Sequence, residues 1–341
     1  MKTRHLIFGL AVLILALSAC REITVRTIVN NDGTFTRMIT VSGDSAEAFK
    51  KELPYPLDTS WVMTSKKDTA GKGKYIVTYT KHFKESKEVE AEISRDTSWK
   101  KQLVRHIEIR KRFGFFYSYI EYKEVYTAAN PFTVLPFKDY VKPQDMLWLT
   151  RKHSIQSPAD SVRRKAAEDT VMTYLVESAA AEVEKILADG IRKLNDPRLD
   201  AKRVHEFHDS IRIALSDDKI KEGAAFIDAY RRWTGKPAVD RLKELKPPLF
   251  CEFDKKTRFI LNLLGMEEFH TEAEMPGLIT GTNSSVLNGN RVSWDVFPMA
   301  FLLEDYAMEV ESRVINVWAF VLSGLILLGL VSLLVVKSVK K

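Results

Sequence analysis

Residues 22–41 read EITVRTIVNNDGTFTRMITV, and this stretch decides the fold. Ile23, Val25, Thr27 and Val29 recur at every second position, the period of a strand with one buried face. Asn30-Asn31-Asp32-Gly33 supplies a turn, and Phe35, Arg37, Ile39 and Val41 resume the alternation, so the segment predicts a β-hairpin. Downstream, a short helix is expected over 45–52, stopped by Pro54, then strands near 61–64, 75–83, 103–112 and 115–126, with a short helix over 85–93. After Pro131, Pro136, Pro143 and Pro158 the period becomes helical. Tyr174, Leu175, Ile186 and Leu187 belong to one stripe, Val204, Phe207, Ile211 and Leu215 to another, and Ile220, Ile227 and Tyr230 to a third. A last helix over 255–264 ends at Gly265. Alternation returns at Phe269, Thr271, Ala273 and Met275, at Val292, Trp294 and Val296, and at Tyr306, Met308 and Val310.

Strands at both ends with helices between predict an α+β fold. The expected form is an antiparallel sheet of N-terminal and C-terminal strands around a helical insertion at about 158–264. The first and last strands are expected to be antiparallel neighbours, because each meets an anchor within a few residues.

Those anchors lie at the two ends of the chain. Residues 1–19 carry Lys2 and Arg4 before a short apolar core, the pattern of a secretory signal. Leu17-Ser18-Ala19-Cys20 resembles a bacterial lipobox, which implies that Cys20 takes a diacylglyceryl group on sulfur and becomes the mature N-terminus. At the other end, residues 313–336 are expected to form a transmembrane helix. Its apolar stretch, 314–336, would be about 34 Å long, enough for a hydrocarbon core of about 30 Å. Trp318 is suited to the interface, and Lys337, Lys340 and Lys341 mark a cytoplasmic tail at 337–341. Residues 20–312 are then extracytoplasmic, on the outer face of the bacterial inner membrane.

Cys20, the turn at Asp32-Gly33-Thr34, and Pro276-Gly277, Asn288-Gly289-Asn290 and Trp294 ahead of a span with a basic tail together resemble LppM-type bacterial lipoproteins. The resemblance covers roughly residues 20–44 and 267–341. It implies a lipid anchor, an extracytoplasmic α+β domain, a C-terminal membrane helix and a lipid- or envelope-binding role. It assigns no site residue by residue.

Composition narrows the function. The 341 residues carry 52 Lys and Arg against 45 Asp and Glu, a net charge of +7. Lys2 and Arg4, with Arg313, Lys337, Lys340 and Lys341, supply most of that excess, leaving +1 for residues 21–312. The basic balance is therefore a topology signal, and nucleic acid is not an expected partner. Two cysteines exclude a disulfide scaffold and a four-cysteine zinc site.

Catalytic patterns are sparse. His205-Glu206-Phe207-His208-Asp209 puts His205, His208 and Asp209 at helical spacing, but a zincin needs His where Asp209 stands. Ser98-Trp99-Lys100-Lys101 matches Ser-x-x-Lys without its companion elements. Cys251, among Phe250 and Phe253, reads as a small core residue. Gly71-Lys72-Gly73 reads as a turn, and Glu182, Glu184, Glu304 and Asp305 read as solvated carboxylates. Apart from lipidation at Cys20, no catalytic, cofactor or metal residue is assigned. The aromatic run Phe113, Phe115, Phe116, Tyr117, Tyr119, Tyr122 and Tyr126 is expected to be a strand packed on both faces, with an apolar groove for an acyl chain as its alternative. The expected function is a non-enzymatic, doubly anchored envelope lipoprotein that binds a protein or lipid partner near the membrane. The alternative is a membrane-tethered hydrolase whose site is scattered in sequence.

Overall fold

A computed structural model describes residues 21–50, 53, 55–68, 74–96, 98–150, 155–216 and 222–339. The lipobox, the signal segment and Gly71-Lys72-Gly73 lie outside the described residues. The fold is α+β and divides into two units.

The sheet unit comprises Arg21–Thr127, Glu268–Val296 and the chain from Asp305 onward. The hairpin forms as expected, with β1 (Glu22–Val29) paired antiparallel to β2 (Phe35–Gly43). Asp32 fixes its turn by accepting hydrogen bonds from the Thr34 amide at 3.0 Å and hydroxyl at 2.8 Å. Beyond β2 come α1 (Ser45–Ala48), the edge strand β3 (Val62–Lys67), β4 (Tyr75–Phe83) and α2 (Lys87–Arg95). The hairpin β5 (Arg105–Phe113) and β6 (Tyr117–Tyr126) follows. After the helical unit come β7 (Phe269–Glu274), β8 (Leu278–Thr282), β9 (Val286–Asn288), β10 (Arg291–Val296) and β11 (Tyr306–Ile315).

Two sheets result, each built from N-terminal and C-terminal strands. The first has the order β3-β4-β2-β1-β7-β10-β9 and the second β5-β6-β11-β8. The first is mixed rather than wholly antiparallel, because β1 pairs with β7 in parallel. A parallel neighbour needs a long crossover, which the intervening chain supplies. Alternate residues turn inward from both sheets: Val25, Thr27 and Val29 on β1, Ile120, Tyr122 and Glu124 on β6, Met308 and Val310 on β11.

The first and last strands are not neighbours, contrary to the expectation from the anchors. β1 lies in one sheet and β11 in the other. Their directions also agree rather than oppose. The start of β1 is level with the start of β11: Thr24 pairs with His270, His270 with Asp295, and the Tyr306 hydroxyl donates to the Asp295 carbonyl at 3.2 Å. The end of β1 is level with the end of β11. Ile28 pairs with Glu274, and three residues on, Gly277 sits against Arg313. Lys111 of β5 donates to the Asn31 carbonyl at 2.7 Å at that same end. The cause is the Pro276-Gly277 turn, which sends the chain from β7 across to β8 in the other sheet. Gly277 has φ +79°, and a Cβ there would lie 2.2 Å from the Arg313 carbonyl oxygen, so only glycine fits without displacement.

The helical unit comprises Ala128–Glu267 and Phe297–Glu304, so it begins earlier than residue 158 and takes in α3 (Pro143–Leu149). Its longest element is α4 (Pro158–Leu194), followed by α5 (His208–Ser216), α6 (Ala225–Thr234) and α7 (Cys251–Leu264). Ser157 caps α4 by accepting from the Asp160 amide, and Pro158 occupies the first turn, where its missing N–H costs nothing. Asn195, with φ 47°, ends it in the left-handed conformation. Phe226, Phe250 and Phe253 pack with centroids 5.9–6.2 Å apart, and Phe132 stacks on Phe253 at 6.0 Å.

Candidate functional site

Strand β11 runs into the last helix, α8 (Val317–Val339), with Asn316 alone between them. The helix therefore begins later than residue 313, since Arg313, Val314 and Ile315 belong to the strand. Both an inner strand end and a span are apolar, so composition does not separate them; the hydrogen-bond ladder to Ser118 and Tyr117 does. Val317–Val335 is long and apolar enough to cross a membrane. Most of its side chains stay exposed in the folded chain, Leu325, Leu328 and Leu333 each above 60%, unlike those of a buried core helix.

Asn316 is not a free hinge. Its Nδ2 donates to the carbonyls of Gly114 at 2.7 Å and Phe115 at 3.2 Å, and its Oδ1 accepts from the Ser118 hydroxyl at 3.0 Å. Its amide donates to the Phe116 carbonyl at 2.9 Å. The start of α8 is thereby tied to the tip of the β5–β6 hairpin. Gly114 makes the tip tight: a Cβ there would lie 2.6 Å from the Tyr117 carbonyl oxygen.

The aromatic run divides at this tip. Tyr122 and Tyr126 point into the core, whereas Phe113, Phe115 and Phe116 are exposed. Phe113 and Phe115 pack on Trp318 with centroids 6.2 and 5.4 Å away, and Phe116 and Tyr117 pack on Phe320 at 4.9 and 6.0 Å. The hairpin is not packed on both faces: alternate residues of β6 turn inward along its length, and at the tip Phe113, Phe115 and Phe116 meet α8 instead.

Between the sheets lies a buried polar cluster. Arg37 Nη2 donates to Glu124 Oε2 at 2.6 Å and to the Tyr122 hydroxyl at 3.1 Å, and its Nε donates to the Thr27 hydroxyl at 3.2 Å. Arg105 donates to the Tyr126 hydroxyl at 2.9 Å, and its guanidinium lies 3.7 Å over the Tyr55 ring. The Tyr55 and Tyr122 hydroxyls donate to the two Glu124 oxygens. Burial works to raise the Glu124 pKa, but the Arg37 and Arg105 charges outweigh it and hold the carboxyl below its usual value. Burial pushes the Tyr122 and Tyr126 hydroxyls up, so they remain protonated donors. The space beside Arg105 and Tyr126 is about 10 Å³, room for about one water. The cluster joins the two sheets through Arg37 and Glu124. Arg37 shares its strand face with Phe35 and Ile39, and a charge in that inward position is the signal in the sequence that points to the cluster.

The histidine segment does not converge. His205 bonds the Lys202 carbonyl within its own turn, while His208 lies between Glu184 and Glu177 of α4, the latter at 2.9 Å. Partial burial opposes protonation of His208, but the hydrogen bonds and charges of Glu184 and Glu177 outweigh it and raise its pKa. Among the described residues, no group of three His, Cys, Asp or Glu is placed to hold a metal ion. Ser98 is occupied as a cap, accepting from the Lys100 amide and donating to Asp96 at 2.8 Å. Cys251 is half-buried at the start of α7 and has no disulfide. Glu182 is not simply solvated, since it accepts from Lys256 at 2.5 Å.

A cleft of about 140 Å³ in the helical unit is walled by Phe207, Tyr230 and Trp233, with Asp200, Arg203 and Lys236 at its polar side. Arg203 donates from Nε to Glu206 Oε1 at 3.1 Å and from Nη2 to Glu206 Oε2 at 2.9 Å, and Lys236 donates to the Arg198 carbonyl. Its cations are thus already engaged.

No family model and no curated protein matches this sequence. Among solved structures, the NMR structure of the folded domain of the Mycobacterium tuberculosis LppM protein aligns over 87% of this chain and 91% of that one, with 8% identity and a TM-score of 0.28. The relationship is weak.

Proposed function

We propose that this chain is a bacterial envelope lipoprotein, anchored by α8 and by lipid on Cys20, whose extracytoplasmic part binds a protein or lipid partner close to the membrane and catalyses no reaction. One observation carries the reading: a folded sheet unit enters an apolar, exposed helix through a single residue, Asn316, that is hydrogen-bonded on both sides of its amide. A tether this short serves a domain that works at the membrane surface. Lys337 and the two lysines that end the sequence favour a cytoplasmic tail.

The test has two arms. Cys20→Ala abolishes palmitate labelling if the lipobox is used; undiminished labelling rejects the lipid anchor. Lipid extraction and mass spectrometry of the full chain, purified in detergent, together with cross-linking in intact cells, look for the partner. Finding no co-purified lipid and no cross-linked protein would reject the binding role.

A further inference from the structure

We propose that the β5–β6 tip is itself a membrane-inserting element, seated among the lipid headgroups and upper acyl chains beside the start of α8. The inference rests on the reading of α8 as a span and goes beyond it, because it assigns a second, non-helical contact with the bilayer.

Depth is the core of the argument. A helix rises 1.5 Å per residue, so Trp318 and Phe320 differ in depth by about 3 Å when α8 is upright. Both belong to its first turn, at the level where aromatic rings favour the interface. Phe113, Phe115 and Phe116 each pack on one of these two rings with centroids 6.2 Å apart or less. They cannot be far from the bilayer if Trp318 and Phe320 are in it. Asn316 holds the tip in place through carbonyls of Gly114, Phe115 and Phe116.

The surrounding surface has the matching chemistry. Phe113 is 65% exposed, and Leu278 and Ile315, at the same end of the second sheet, are 57% and 59% exposed. The register sets them at one end of the sheet: Leu278, opposite Arg313, and Ile315, opposite Tyr117, share its outer face, and Phe113, opposite Ser118, emerges from the inner one. An apolar rim of this kind marks a contact surface, and continuity with α8 makes the bilayer its occupant. Lys111 and Arg112, one to two residues before Phe113, and Arg313, opposite Leu278, stand beside the rim as cations for lipid phosphates. Arg313 lies 5.1 Å over the Tyr117 ring, and Arg112, which also pairs with Glu311 at 3.0 Å, lies 4.6 Å over the Tyr119 ring. Aromatic tips backed by cations suit the interfacial zone.

The experiment uses the full chain in phosphatidylethanolamine–phosphatidylglycerol vesicles, with Cys20→Ser and Cys251→Ser together as background, so that the introduced cysteine is the one thiol. A fluorophore is placed by Phe115→Cys, and separately by Phe116→Cys, by Leu327→Cys in mid-helix and by Val286→Cys on β9. Lipids carry a nitroxide quencher either at the headgroup or deep in the acyl chain. The Phe115 and Phe116 labels should be quenched severalfold more by the shallow nitroxide than the Val286 label, and the Leu327 label most by the deep one. Deep quenching at Leu327 with Phe115 and Phe116 no different from Val286 overturns the tip insertion and leaves the span intact. An unquenched Leu327 label overturns both. Self-quenching at the tip that unlabelled protein dilutes away, without lipid quenching, assigns the rim to a second copy and overturns the proposal.

Discussion

Arg37 and Glu124 are both completely shielded from solvent, and Nη2 of the first lies 2.6 Å from Oε2 of the second, joining β2 in one sheet to β6 in the other. Arg105 sits 3.4 Å from the second Glu124 oxygen, so one carboxylate answers two guanidiniums. Glu124→Gln should therefore be costly, because it leaves two buried cations without their counter-charge. Removing one member of such a pair typically costs about 3–5 kcal/mol. Urea unfolding of the full chain in detergent, followed by tyrosine fluorescence, measures it. A loss below about 1 kcal/mol would show that the cluster is hydrated or looser than its geometry implies.

Gly277→Ala should destabilise the sheet unit by about 1–3 kcal/mol through its left-handed backbone conformation alone. The Cβ placed 2.2 Å from the Arg313 carbonyl adds to this, since backbone must move. The affected ladder joins β8 to β11, so amide exchange should quicken at Leu278, Ile279 and Arg313 before it does on β1 and β2. Uniform acceleration across both sheets would contradict this local origin.

Local pattern made much of the fold legible, and long-range pairing decided the rest. The β1–β2 hairpin, β4 and the helical region followed from alternation, turn residues and helical stripes, all of which act within a few residues. Strand β8 was not foreseen: its Thr280-Gly281-Thr282 has no buried face, and it forms because β11 offers an open edge. The parallel partner of β1 likewise lies far along the chain, so nothing near Val25 announces Thr271. At the candidate site, Trp318 was legible as an interface residue from its place in the apolar stretch. The destination of Phe113 and Phe115 was not, since their partners in α8 lie about two hundred residues away. Cys20 remains readable only from its motif.

The packing of α5 on α4 should weaken as pH rises. His208 is the first residue of α5, and Glu177 and Glu184 grip its two ring nitrogens from α4; Arg212 also faces Glu177, at 3.7 Å. The folded-state pKa is raised, so the stabilisation is fully present below the unfolded value of about 6.5 and is lost as pH climbs through the folded value. Amide exchange in α5 should be slower at pH 6 than at pH 8 after correction for intrinsic rates. His208→Gln should flatten that difference. His270 is also raised, by its Asp295 partner foremost, so global melting will keep a residual slope in the variant. An unchanged α5 difference in His208→Gln would place the pH sensitivity elsewhere.

The positions of the two anchors constrain how the sheet unit lies on a membrane. β1 has eight residues and starts at the end of the sandwich away from α8, so Glu22 stands about 23 Å back along the strand from Val29 at 3.3 Å per residue. Cys20 is two residues before Glu22 and adds at most about 7 Å of reach. An upright sandwich would hold a lipid on Cys20 well clear of the bilayer entered by α8. Both anchors in one leaflet therefore require the strands to lie along the membrane plane, with both ends of β1 near the headgroups. With labels at Glu22→Cys and Thr34→Cys in the vesicles used above, a headgroup quencher should reach both to a similar degree. If palmitate labelling proves Cys20 acylated and the Glu22 label still escapes the quencher, the flat orientation is wrong, and β1 must leave the sheet or its lipid must enter a different bilayer.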